Sequence, residues 1–156
     1  MADNIQFTKN FSLAELLESQ QARRLSIDEQ FDPPDAVLKN LEALCKNILQ
    51  PLRDTIKMPL SVSSGYRCTR LNTMIGGASR SQHLTGHAAD IQCFQLGNEE
   101  LLKKISTMKL PFDQMINEFN YAWVHISYDP SRNRKEILEA YKNNKFETKY
   151  RKINIS

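Results

Sequence analysis

Three histidines are all the chain contains, and two fall in one short run, Ser81-Gln82-His83-Leu84-Thr85-Gly86-His87-Ala88-Ala89-Asp90. The third lies in Trp123-Val124-His125-Ile126-Ser127. Imidazole nitrogen and carboxylate oxygen together suit Zn²⁺, which takes them at roughly 2.0–2.2 Å. A turn containing Gly86 lets His83 and Asp90 point at one cation. The rival pairing, His83 with His87, has the spacing of two ligands on one helical turn. No Glu follows His83, however, and Gly86 disfavours a helix there. His87 is therefore expected to be exposed or beside the site. Cys68 and Cys93 have no partner at zinc-finger spacing and are expected to pack rather than ligate. With Cys45 they make three, which cannot all pair, so a disulfide scaffold is excluded and a reducing compartment is expected.

A metal-activated water also needs a group that moves its proton. Alternation along Trp123–Ser127 puts Trp123, His125 and Ser127 on one face, and Val124 and Ile126 on the other. A hairpin centred on Asn120-Tyr121 would set Phe119 opposite Ala122, Glu118 opposite Trp123 and Ile116 opposite His125. Glu118 then shares a face with His125 as a diagonal neighbour, about 7–8 Å away along the backbone. A one-residue bulge would turn it away, so this reading depends on the register. Glu118 is the candidate general base, able to take a proton from a metal-activated water and return it to a leaving amine. Asp113, at the strand's start and on the opposite parity, is the second candidate. Arg67, just past Ser64-Gly65-Tyr66, can offer a planar fork to a carboxylate or a developing oxyanion.

The elements that must position these groups follow from patterning. Ser12 and Glu15 have capping-box spacing ahead of the stripe Leu13, Leu16, Leu17, which predicts a short helix. Asp32-Pro33-Pro34 opens a longer one. Val37, Leu38, Leu41, Leu44, Cys45, Ile48 and Leu49 keep its period, and it stops near Lys57-Met58-Pro59. Leu60–Ser64 alternates as a strand. Thr69 to Ile75 reads as a helix ended by Gly76-Gly77, and Ala88 to Phe94 as a strand. Asn98 is expected to cap a helix bearing Leu101, Leu102, Ile105 and Met108. Strands over 112–119 and 122–128 and a last helix over 134–142 complete the series. The mixture predicts a single α+β domain over residues 1–156: a small antiparallel sheet with helices packed on it, a core over about 11–128, and a basic helix and tail over 129–156.

The chain has 156 residues, 40% hydrophobic and 25% charged, enough for one packed core and too few for two ordinary domains. No apolar run approaches the roughly 20 residues of a membrane span. The opening Met-Ala-Asp-Asn-Ile-Gln lacks the pattern of a secretory signal. Synthesis in the cytoplasm is therefore expected, with any action on a cell wall following lysis or release. From Arg132 onward eight Lys or Arg face three Glu, whereas the remainder is slightly acidic. That segment reads as a solvated basic end, able to attract an anionic polymer. The body has no nucleic-acid motif, and no nucleic-acid partner is expected.

Taken together, Ser64-Gly65-Tyr66-Arg67, Asn72, Gly76-Gly77, Ser81-x-His83-x-x-Gly86-x-Ala88-x-Asp90 and Trp123-Val124-His125-Ile126-Ser127 resemble the zinc D-alanyl-D-alanine carboxypeptidase family. That family includes vancomycin-resistance dipeptidases and phage L-alanyl-D-glutamate endopeptidases, and its fold is related to the hedgehog signalling domain. The resemblance runs from about Phe11 to Ser127. It implies zinc held by His83, Asp90 and His125 with water in the fourth position. It implies Arg67 on the substrate and its scissile carbonyl, and Ser81 contacting substrate or orienting the site. It also implies a peptidoglycan stem peptide or muropeptide as substrate, as for a phage-type lysin. Many members carry the catalytic acid three residues before the last His, where this chain has Ala122. The hedgehog pattern Phe-Asp-x-x-x-x-Glu followed by His-x-Ser instead resembles Phe112-Asp113, Glu118 and His125-Ile126-Ser127. That parallel points again to Glu118. It also leaves a second expectation, a non-catalytic zinc module that binds a peptide or protein.

Overall fold

The predicted first helix forms where its cap lies. Ser12 Oγ accepts the Glu15 amide at 3.4 Å, and α1 runs over Leu13–Leu17 with Leu13, Leu16 and Leu17 buried. The computed structural model describes residues 4–155. Before α1 lie two short strands that the patterning did not predict, β1 (Gln6–Thr8) and β2 (Phe11–Ser12). After it comes a second short helix, α2 (Gln20–Arg24). The long helix is three pieces: α3 (Asp35–Leu44), a π turn over Cys45–Leu49, and α4 (Gln50–Ile56). Pro51, with no amide hydrogen to give, falls in the first turn of α4, just after the wider turn. Lys57, left-handed at φ 56°, ends the helix at the expected stop.

The rest is organised by one sheet. β3 (Ser61–Ser64), α5 (Thr69–Met74), a 3₁₀ turn over Gln82–Thr85, and β4 (Ala88–Gln92) lead to α6 (Asn98–Thr107). β5 (Gln114–Glu118) and β6 (Trp123–Ser127) follow, then β7 (Glu136–Lys142) and β8 (Thr148–Lys152). The strand order is β3-β4-β6-β5-β7-β8. Asn98 is not the cap of α6: Gly97 is, while the Asn98 side chain accepts the Cys93 amide and donates to the Tyr121 and Ala122 carbonyls.

Two expectations are corrected here. Residues 134–142 form no helix, and the sheet is mixed, because β7 pairs in parallel with β5 through Met115–Ile137 and Ile116–Leu138. Helix-compatible residues became a strand because a neighbouring strand offered unpaired backbone groups and an apolar surface, which outweigh local propensity. The basic segment is therefore no loose tail. Arg151 pairs with Glu139 at 2.8 Å, Lys149 with Glu147 at 3.3 Å and Lys152 with Glu136 at 3.7 Å.

Pairing fixes which residues share a face. Ala89, Ile91, Val124, Ile126 and Met115 lie on one face, fully buried with Leu41, Leu44, Ile48, Leu52, Leu101, Leu102 and Ile105 of the helices. Burying each such side chain contributes on the order of 1.5–3 kcal/mol. The opposite face carries a continuous row, Ser64, Asp90, His125, Ile116 and Leu138. One row further along lie Trp123, Glu118 and Ala140. The helices thus fill one side of the sheet and leave the polar side to chemistry.

Candidate metal centre

The polar face gathers the three expected ligands. Asp90 and His125 are paired neighbours on β4 and β6, so their side chains rise side by side. His83 comes from the 3₁₀ turn just before β4, and Gly86 makes its approach possible. Gly86 has φ 78°, and a Cβ there would stand 2.9 Å from the Val37 carbonyl oxygen, so the turn packs on α3 only without a side chain. Asp90 Oδ1 lies 3.2 Å from His83 Nε2 and 3.3 Å from His125 Nδ1. Three donor atoms from these residues lie within 4.8 Å of one another, and all three residues are buried.

These residues fit zinc by a test internal to the structure. Ligands about 2.0 Å from a tetrahedral ion stand about 3.3 Å apart, which matches both short separations. The donor set of two imidazole nitrogens and one carboxylate oxygen is also right for it. His83 Nδ1 donates to the Gly65 carbonyl at 2.7 Å, leaving Nε2 with its lone pair toward Asp90. Gly65 can serve this role because its backbone lies against the Leu16 carbonyl, where a Cβ would collide. Burial alone would raise the Asp90 carboxyl; His83 and His125 outweigh that and hold it well below the usual range.

Glu118 is where the hairpin register puts it. Glu118 pairs with Trp123 and Ile116 with His125, as alternation predicted, with no bulge. The connecting turn holds Phe119, Asn120 and Tyr121 all at positive φ, 51°, 57° and 61°. The Asn117 side chain accepts the Tyr121 amide at 2.6 Å and steadies it. Glu118 is 8% exposed. Burial pushes its carboxyl up to about 7, with Asp90 adding to the rise and His125 and Arg67 opposing it. A carboxyl poised there can take and return a proton near neutrality.

Arg67 reaches the same cleft. Its amide donates to the His83 carbonyl at 3.0 Å, and its Nη2 donates to Ser81 Oγ at 3.1 Å. Burial lowers its pKa, with Asp90 and Glu118 opposing. Its buried Nε has no partner among the described residues. Ser81 also caps the turn by accepting the His83 amide at 3.2 Å. Patterning did not reveal Gln30, which is fully buried, donates to the Leu17 and Tyr66 carbonyls and accepts the Cys68 amide. It clamps the backbone on both sides of Arg67, and nothing at Gln30 itself signals a partner 36 or more residues away.

The other candidates fall elsewhere. His87 bonds Thr85 Oγ1 at 2.6 Å and is not in the cluster. Cys45, Cys68 and Cys93 are free and buried, and none joins the donors. Asp113 accepts Arg134 Nε at 2.8 Å, Arg134 Nη2 at 3.0 Å and Gln82 Nε2 at 2.9 Å. It is a structural anchor. The cleft over the cluster measures about 520 Å³ and is lined by Arg67, Arg80, Ser81, Glu118, Phe119 and Trp123 among others. Leu138, Thr148 and Tyr150 from the last two strands also line it. Patterning missed these because it assigned their segment to a helix and tail.

Comparison with known proteins agrees with this geometry. The family described as Peptidase M15 matches residues 9–127, and the chain belongs to that family. The donor set of His83, Asp90 and His125 is one that suits zinc. A stretch of 44 residues is 43% identical to the zinc D-Ala-D-Ala carboxypeptidase of Streptomyces albus G. The stretch covers 28% of this chain and 17% of that relative, so the chain spans only a small part of its length. Among the described residues no helix is long and apolar enough to cross a membrane.

Proposed function

We propose that the chain is a zinc metallopeptidase that hydrolyses peptidoglycan stem peptides at a bond next to a D-residue, either D-Ala–D-Ala or L-Ala–D-Glu. One observation carries this reading: a buried carboxyl, Glu118, stands on the same sheet face as His125 and Asp90, one row away, in the same cleft. The partial likeness to a D-Ala-D-Ala carboxypeptidase supports the substrate class.

His83 Nε2, Asp90 Oδ1 and His125 Nδ1 would hold the ion. Bound zinc supplies Lewis acidity and makes water acidic enough to ionise near pH 7. Glu118 takes the proton of the attacking water and delivers it to the leaving amine. Burial holds its pKa close to the value at which both transfers are feasible. Arg67, steadied by Ser81 and by the backbone clamp at Gln30, presents positive charge to the substrate or to the oxyanion as it forms. Arg67 and Arg80 line the cleft, and neither makes an ion pair within 4.0 Å among the described residues. They leave room for a substrate carboxylate. On this reading the protein acts as a phage-type lysin or muropeptide hydrolase, reaching the wall after lysis or release from the cytoplasm.

The test is incubation of zinc-loaded protein with purified muropeptides, followed by mass spectrometry, for the wild type and Glu118→Gln. Loss of one D-Ala, or scission after L-Ala, identifies the bond. The variant is expected to keep about one zinc per chain and to lose roughly 10²–10⁴-fold in rate. Unchanged turnover in the variant would remove Glu118 from the mechanism. Bound zinc with no turnover by the wild type would leave a peptide-binding zinc module instead.

A further inference from the structure

The family match ends at Ser127, but the sheet does not. β7 and β8 add two strands beyond it, and their polar-face residues continue the rows that carry the site. Glu118 pairs with Ala140 on β7, and Ala140 pairs with Tyr150 on β8. Paired residues share a face, so Trp123, Glu118, Ala140 and Tyr150 form one line across four strands. Two strand spacings separate Tyr150 from Glu118, about 9–10 Å. The residue between them is the small one, Ala140, and it is fully buried. A tyrosine there can lean inward over the methyl group toward the carboxyl.

Tyr150 lines the cleft together with Arg67, Asp90, Glu118 and His125. Its phenol lies within the field of three of them. Burial first, then the Glu118 and Asp90 charges, raise its pKa above the ordinary tyrosine value, with Arg67 opposing, so the hydroxyl keeps its proton. No residue of the described chain hydrogen-bonds that hydroxyl. Tyr150 is half-exposed. Thr148, two residues earlier on the same strand and on the same face, extends the wall.

We infer that the β7–β8 hairpin is a substrate wall that this chain adds to the family-matched body, and that the Tyr150 hydroxyl is a substrate-binding donor. The ligand group it takes is a peptide carbonyl or carboxylate of the chain lying across the zinc centre. The inference rests on the peptidase reading above and deepens it. Tyr150 touches substrate and moves no proton of its own, so its contribution appears in binding more than in the chemical step.

The test uses the full-length, zinc-loaded protein and one probe, a purified disaccharide pentapeptide containing both the L-Ala–D-Glu and D-Ala–D-Ala bonds. Binding is measured by calorimetry in Glu118→Gln, with and without Tyr150→Phe, so that no turnover disturbs it. Removing the hydroxyl alone is expected to weaken binding roughly 3–10-fold, the usual net effect of one hydrogen bond. In the otherwise wild-type protein, Tyr150→Phe should raise KM by a similar factor and leave kcat within about twofold. Zinc content and melting temperature should not move, which separates substrate contact from a structural role. Equal affinity in the two proteins, or an unchanged KM with a lowered kcat, overturns the inference. If neither protein binds the pentapeptide, the muropeptide reading falls and this inference falls with it. If both bind and the wild type does not cleave, only the enzymatic reading falls.

Discussion

Asp90, on β4, and Asp113, just before β5, are two buried carboxylates, and their surroundings are opposite. Asp113 is fully buried and saturated: it accepts the Arg134 amide and both arms of the Arg134 guanidinium, Gln82 donates to it, and Arg132 lies 3.5 Å away. Its charge is matched and its lone pairs are filled. Asp90 faces two imidazoles, each with a ring nitrogen turned to the same carboxylate oxygen. Nearby, His125 Nε2 and Arg67 Nε are buried with no partner among the described residues. A satisfied buried charge is a fastener, and an unsatisfied cluster is a receptacle. Gln82 joins the two, since it begins the turn that carries His83 and donates to Asp113.

The largest expected effect breaks the receptacle. Asp90→Ala or His83→Ala should reduce zinc from about one per chain to none by elemental analysis and take hydrolysis to background, with the sheet intact by circular dichroism. Zinc retained at full stoichiometry in both variants would show that the cation, if any, sits elsewhere. The next effect breaks the fastener. Asp113→Asn leaves Arg134 without its ion pair and should lower unfolding free energy by about 1–3 kcal/mol, because the guanidinium left behind is partly exposed and stays solvated. Urea unfolding of the metal-free protein measures it. A variant equally stable but unable to bind zinc would reverse the two roles.

The smallest effect is a pH profile that sets the regions against each other. Burial raises the Asp113 carboxyl, but Arg134 and Gln82 outweigh it, and its folded pKa lies below the usual value. Its contribution is therefore complete above about pH 4 and is lost as pH falls through the depressed folded value. Asp90, also lowered, acts in the same sense. Glu118 acts in the opposite one. Its folded pKa of about 7 lies above the unfolded value of about 4.3, so the fold prefers it protonated. Stability from this group is greatest below about pH 4 and is lost as pH rises to about 7. Melting temperature of the metal-free protein should therefore fall on both sides of a mildly acidic maximum. Glu118→Gln should flatten the neutral side alone, and Asp113→Asn should reduce the acid side. A neutral side unchanged in Glu118→Gln would show that the carboxyl is not buried as described.

The cluster of candidate ligands was legible because the chain has so few histidines and because alternation is a local rule. Once β6 is read as a strand, the faces of His125 and Glu118 follow, and the turn needed only to avoid a bulge. Gly86 was legible as a turn, though not its contact with α3. Partners far apart in sequence were not legible. Gln30 holding Tyr66 and Cys68, and the Gly65 carbonyl meeting His83, leave no periodic trace. The C-terminal strands were misread for a related reason. Glu136 to Lys142 reads as well as a helix as it does a strand, and only β5, supplying a parallel neighbour, decides the matter. Asp113 was noticed as a candidate acid because it is an acid near the site; Arg134, which neutralises it, lies 21 positions later.

Gly65 has a helix's end pressed on one side and a ligand ring fastened on the other, with no slack between them. The first imidazole is therefore aimed by a segment near the chain's beginning that never touches the ion. The opening helix and the His83 ring meet the same residue from two sides. Reshaping that early helix would therefore be felt at the donor cluster, through one shared glycine.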